Sequence, residues 1–162
     1  MPCGMLQNTL VVITSTHGME LFDHGGVGDA RSLYDELIHV PLILRGPGVD
    51  PGLSQVSASL IDVMPTLCEF LQIEVPADVD GKALQQLDVS SERTLFCETD
   101  RIPRRCAASG PRYKLLLDLE SGQRRLFDLL TDPAEAKDLA DEPTVLGQAT
   151  PLEDALEAFM GQ

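Results

Sequence analysis

The short apolar run Leu10-Val11-Val12-Ile13 breaks off at the polar turn Thr14-Ser15-Thr16-His17-Gly18-Met19-Glu20, and this junction limits the folds open to the chain. An unbroken apolar run rich in β-branched residues is typical of a strand buried on both faces. A glycine-bearing polar turn directly after such a strand delivers side chains to the carboxyl edge of a sheet, where α/β folds bind ligands. A second run of the same kind, His39-Val40-Pro41-Leu42-Ile43-Leu44-Arg45, carries its proline near the start, where a missing N–H is tolerated. Gly46-Pro47-Gly48 closes it. Between the two runs, His24-Gly25-Gly26-Val27-Gly28 predicts a loop, and Ser32 to Ile38 a short helix or turn.

Downstream, Leu60, Ile61, Met64, Leu67, Cys68 and Leu71 recur at helical spacing. Ser59 as cap, Asp62 in the first turn and Pro65 near the start mark the N-terminus of that helix. A polar linker with Pro76, Asp78, Asp80 and Gly81 follows. The second half then changes character. Thr94 to Cys97 is a strand candidate, and Tyr113 to Leu119 with Arg125 to Leu129 flank Glu120-Ser121-Gly122-Gln123 as a hairpin would. Asp132-Pro133 opens a turn or helix, and Leu152 to Met160 has the pattern of a terminal amphipathic helix. The expected organisation is an α/β portion over residues 1–85, then a small α+β subdomain over 86–162, antiparallel and closed by that helix.

Charge narrows the function classes. Twelve basic residues against 26 acidic ones leave a net charge of −14, which disfavours a nucleic-acid partner, because such affinity comes from Lys and Arg neutralising phosphates. No stretch approaches the roughly 20 apolar residues of a membrane span. Residues 1–8 carry neither a basic segment nor a long apolar one, so no secretory leader is visible and the chain as it stands reads as cytoplasmic. Cys3, Cys68, Cys97 and Cys106 show no Cys-x-x-Cys spacing, which leaves little support for a zinc or redox motif.

Four stretches together resemble the C-terminal part of the formylglycine-type sulfatases of the alkaline phosphatase superfamily. They are Val12 to Gly18; Ser32 to Glu36 continuing through His39 to Gly48; Asp62-Val63-Met64-Pro65-Thr66-Leu67 with Val79-Asp80-Gly81; and Arg112 to Leu115 with Leu126 to Leu129, Asp132 to Glu135 and Asp138 to Ala140. They occur in the family's order and cover most of the chain. The resemblance implies a partial sulfatase-like α/β sheet and metal-assisted hydrolysis of sulfate esters. Calcium or another divalent cation would polarise the sulfate while a cysteine-derived formylglycine hydrate attacks sulfur.

Carried over residue by residue, the resemblance makes His17 a metal ligand and puts Thr16 where the family has an aspartate. A hydroxyl can coordinate a hard cation but brings no charge to it. Asp29 stands where the family carries a substrate-binding Lys or His, with Arg31 as the substitute cation. An ion pair at about 4 Å is worth about 4 kcal/mol at an effective dielectric of 20, so reversing that sign matters. The family's early aspartate pair and its Cys/Ser-x-Pro-x-Arg nucleophile motif do not occur in these residues, and no cysteine replaces them, so no catalytic residue is assigned.

Plainer readings stand beside these. His17 either ligates metal or hydrogen-bonds within its turn. His24 with Asp23 orders the glycine loop rather than binding metal. Glu20 either supports the metal site from behind or faces solvent, with solvent favoured; Tyr34, Asp35 and Glu36 cap and pack the segment before the second strand, and His39 at a strand entrance is structural rather than catalytic. Arg101, Arg104 and Arg105 form a surface loop or an anion contact. Three functions follow: a polypeptide of sulfuric ester hydrolase ancestry that is incomplete and inactive alone; a non-catalytic assembly or binding module pairing with itself or with a sulfatase-like partner chain, since exposed strand edges invite pairing; or a half-enzyme whose nucleophile portion comes from a separate polypeptide.

Overall fold

The computed structural model describes residues 4–29, 31–90 and 92–161; Cys3 lies outside them. Among the described residues the strands are β1 (Val11–Thr14), β2 (Glu20–Leu21), β3 (Val27–Gly28), β4 (Leu42–Arg45), β5 (Leu95–Thr99), β6 (Arg105–Ser109), β7 (Tyr113–Asp118) and β8 (Arg124–Asp128). The α-helices are α1 (Asp35–Ile38), α2 (Val63–Leu71) and α3 (Leu146–Met160). The chain divides into two compact units, Met1–Thr16 with Pro41–Ser91 and His17–Val40 with Glu92–Gln162.

In the first unit β1 and β4 pair antiparallel, with Val12 opposite Leu44 and Thr14 opposite Leu42. Val12, Leu42 and Leu44 share a narrow apolar space with Val63, Thr66 and Leu67 of α2 and with Leu84. Ile13 and Ile43, cross-strand neighbours on the opposite face, are 55% and 53% exposed. The expectation of a strand buried on both faces is therefore corrected. A two-stranded antiparallel ribbon packed on one helix hides alternate residues only, and each strand pairs only with the other among the described residues.

The entry to α2 is built around Asp62, which is fully buried. Its Oδ2 accepts the Ser59 N–H at 2.7 Å and its Oδ1 the Lys82 N–H at 2.8 Å. The Thr66 hydroxyl donates to the Asp62 carbonyl at 2.6 Å and accepts the Leu84 N–H at 2.9 Å. Gly81 completes this junction, because a Cβ there would lie 2.0 Å from the Ile61 carbonyl oxygen. The helix ends at Gln72, whose φ of 55° is the left-handed turn common at helix C-termini.

In the second unit β5, β6, β7 and β8 form one antiparallel sheet in that order. Strand alternation sends Cys106, Ala108, Leu115 and Leu126 to one face, where Ala149, Leu152 and Leu156 of α3 cover them. Phe159 of α3 stacks on Phe96 of β5, with ring centroids 4.7 Å apart. Ala107, Leu116 and Phe127 point to the other face and pack under Leu33 and Tyr34 from the segment leading into α1. Two features were not expected from the sequence. β6 is a strand although Ala107-Ala108 has low strand propensity, because small side chains are what fit between α3 and Tyr34. And α3 begins at Leu146, ahead of the Pro151 that interrupts its pattern.

Candidate functional site

The polar turn is held by backbone bonds. The Gly18 N–H donates to the Leu37 carbonyl at 2.8 Å and the Met19 N–H to the Glu36 carbonyl at 3.0 Å. Only glycine fits at position 18, since a Cβ would sit 1.9 Å from the Glu36 carbonyl oxygen. This clamp fixes His17, the first residue of the second unit, while exposed Thr16 is the last N-terminal residue of the first. The His17 Nδ1 lies 2.7 Å from the Gly18 carbonyl oxygen. Its Nε2 lies 3.8 Å from Asp29 Oδ2, and both side chains are about half exposed. The structure thus brings Asp29 to His17. Arg31 lines a cleft to which neither contributes.

Among the described residues no cluster of three or more His, Cys, Asp or Glu side chains could enclose a metal ion. An imidazole beside one carboxylate, with a hydroxyl on the preceding residue, falls short of the six to eight oxygens a calcium-like cation takes. These residues do not fit a complete cation site. Burial pushes the Cys97 and Cys106 thiols up, away from the reactive thiolate.

Behind the turn lies a buried ionic knot. Lys114 is wholly buried, with Nζ 2.7 Å from Asp35 Oδ1 and 2.8 Å from Glu135 Oε1. The Asp35 N–H donates to Glu135 Oε2 at 2.6 Å. Among the described residues Glu135 Oε1 meets no partner other than Lys114 Nζ. Burial raises the Glu135 carboxyl above its ordinary range, with the Lys114 charge pulling the other way. His24 stacks flat on Tyr34 at 3.6 Å. It pairs through Nδ1 with Glu36 Oε1 at 2.7 Å and through Nε2 with the Glu135 carbonyl at 3.2 Å.

Several expectations change here. Glu20 is buried, not solvent-facing; its carboxylate accepts the Gly26 N–H at 3.0 Å and the Ser32 hydroxyl at 3.1 Å, so it organises the loop. His24 does order the glycine loop, through Glu36 rather than Asp23. Lys114 and Glu135 had no assigned role. A lysine set inward in the otherwise apolar strand Tyr113-Lys114-Leu115-Leu116-Leu117 was the signal for them.

The knot sets a pH dependence. Burial works against the charged His24 imidazole, but the Glu36 hydrogen bond and the Glu135 carbonyl outweigh it and raise the pKa above 6.5. A raised folded pKa gives stability that is complete below 6.5 and lost as pH rises through the folded value. Urea denaturation between pH 6 and pH 8 should therefore show stability falling with pH, with a flatter profile in His24→Gln. An unchanged slope in that variant would remove His24 as the cause.

A family model described as "N-sulphoglucosamine sulphohydrolase, C-terminal" matches residues 23–162. The chain is 36% identical to the Delta 4,5-hexuronate-2-O-sulfatase of Bacteroides thetaiotaomicron over 157 residues, covering 88% of this chain and 32% of that protein. It is 32% identical to arylsulfatase K of Mus musculus, covering 85% and 28%. The fold superposes on a 2-O GAG sulfatase with a TM-score of 0.86 at 28% identity, covering 99% of this chain and 37% of that one. It also matches the fold of a phosphonate monoester hydrolase from Silicibacter pomeroyi, with a TM-score of 0.79 at 24% identity and coverage of 93% and 34%. The chain spans about a third of the length of the curated relatives it matches.

Proposed function

Because this chain belongs to the sulfatase family and corresponds to its C-terminal part, we propose that its 162 residues are one portion of a sulfuric ester hydrolase, inactive unless a nucleophile-bearing portion is supplied. The carrying observation is the coverage: nearly the whole chain superposes on a sulfatase while accounting for 37% of it. No Cys/Ser-x-Pro-x-Arg sequence occurs in these residues. In this reading residues 1–85 are the C-terminal part of the α/β domain and 86–162 its small subdomain. His17 contributes one ligand to a divalent-cation site, with Thr16 in place of an aspartate. Asp29, held at His17, replaces the substrate-binding cation.

The test is turnover of an aryl sulfate by these residues alone and with a nucleophile-bearing portion, each with and without calcium. No turnover alone and metal-dependent turnover in the complemented sample are expected. Thr16→Asp with Asp29→His is expected to raise the second rate and leave the first at zero. Metal-dependent hydrolysis by the 162 residues alone would overturn the proposal.

A second reading, a non-catalytic assembly module pairing with itself or with a full-length sulfatase-like chain, is favoured by the exposed Ile13–Ile43 pair on the β1–β4 ribbon. Sedimentation that returns a monomer, joined to failure to bind a full-length sulfatase, would dismiss it.

A further inference from the structure

The sheet face under Tyr34 is only half filled. On it β6, β7 and β8 place Arg105 opposite Asp118 and Leu116 opposite Arg125, and strand alternation puts all four on the same side as Ala107 and Phe127. Leu33 and Tyr34 cover the apolar end. The polar end opens into a cleft of about 330 Å³, walled by the loop that carries Glu20, His24 and Arg31. That volume is within the range of small-molecule sites.

The charges in this cleft do not balance within it. Arg105 Nε lies 3.5 Å from Asp118 Oδ2, so this pair answers itself. The buried Glu20 carboxylate is taken up by the Gly26 N–H and the Ser32 hydroxyl. Arg31 and Arg125 remain, and among the described residues neither has a carboxylate partner. Arg125 Nη1 donates to the Tyr34 hydroxyl, and that hydroxyl belongs to a ring clamped between His24 and Phe127. The guanidinium is therefore oriented before any ligand arrives. In a chain with a net charge of −14, two guanidiniums turned to one cavity without an acid partner call for an external anion.

We propose that this cleft is an oxyanion-binding subsite in which Arg31 and Arg125 hold a carboxylate or sulfate group carried on a sugar. The oxyanion follows from the paired guanidiniums, whose forked donors match planar and tetrahedral oxyanions. The sugar rests on the sulfuric ester hydrolase reading above and on the hexuronate and GAG sulfatases that this chain resembles. The subsite would select substrates that carry a second anionic group besides the ester to be cleaved.

The test measures binding alone, so it is independent of hydrolysis. The full chain is titrated at low ionic strength with glucuronate, glucose 6-sulfate, inorganic sulfate and neutral glucose, with amide chemical shifts as readout. Both anionic sugars are expected to shift resonances around Arg31, Arg125 and Gln123, and glucose is not. The ratio of the two affinities tells carboxylate from sulfate. Arg31→Ala, at an exposed position that leaves the core untouched, should weaken binding about tenfold, as the loss of one charge-assisted hydrogen bond does. Arg125→Gln should weaken it at least as much, and salt should screen both anions. Equal binding of glucose, affinities unchanged in Arg31→Ala, or no shift with any probe would each overturn the subsite. Inorganic sulfate binding alone, without either sugar, would reduce it to a simple anion site and overturn the sugar.

Discussion

Lys114→Met is expected to lower the stability of the second unit by about 3–5 kcal/mol, the usual result of removing one partner from a buried ionic cluster. The methionine fills similar volume, so the loss is not a packing effect. It arises because Glu135 is left in the interior with its Oε1 facing no cation, while Asp35 keeps only the exposed His39 imidazole at 3.6 Å. Without the Lys114 charge, the Glu135 carboxyl rises further and the protein gives up a charge that it can no longer solvate. Denaturant unfolding followed through the β5–β8 sheet reads the size of the effect. The triple variant Lys114→Met, Asp35→Asn, Glu135→Gln should recover a good part of it, because it leaves no uncompensated charge behind. A Lys114→Met protein as stable as the parent would show that the knot is not ionic in its energetics.

Asp62→Ala is expected to cost about 3 kcal/mol in the first unit, from two backbone donors left without an acceptor at about 1–3 kcal/mol each. Those donors are the N–H groups of Ser59 and Lys82, which stand on separate segments and meet only on this carboxylate. Hydrogen exchange should accelerate together across residues 59–71 and 81–86, whereas β5 to β8 keep their protection. Asp62→Asn retains one acceptor oxygen and should lose roughly half as much. Exchange that quickens only at the helix start would mean that Asp62 is a cap and nothing more.

What could be read in advance follows a physical line. The β7–β8 hairpin was legible because Gly122 sits at φ +69° between two alternating runs, a local signal. The α2 entry was legible for the same reason. β6 was not, since its strand character comes from burial on two sides and not from Ala107 or Ala108. The pairing of Asp35 with Lys114 spans 79 positions, and no periodicity carries that information. At the candidate site, His17 was marked by its glycine neighbour. Its approach to Asp29 depends on the Gly18 clamp and could not be read from residue types. Glu20 reads as solvated in the sequence because nothing beside it marks the loop that folds over its carboxylate. The sequence does mark the Arg31 position, but its fellow Arg125 shares the cleft only through the register of β7 with β8.

The interleaving of the second unit has a consequence for how the chain is made. Residues 17–40 leave the ribosome well before residues 92–162, yet their stability depends on them. During that interval Leu33 and Tyr34, both buried against the sheet in the finished protein, have no sheet to cover them. The first unit's 41–91 segment is synthesised in between. Closing the loop from Asp35 to Lys114 is thus a late and entropically costly event in the birth of the molecule. A nascent chain paused before β7 should be sticky at Leu33 to Leu37, and a chaperone that holds apolar segments has its natural point of grip there.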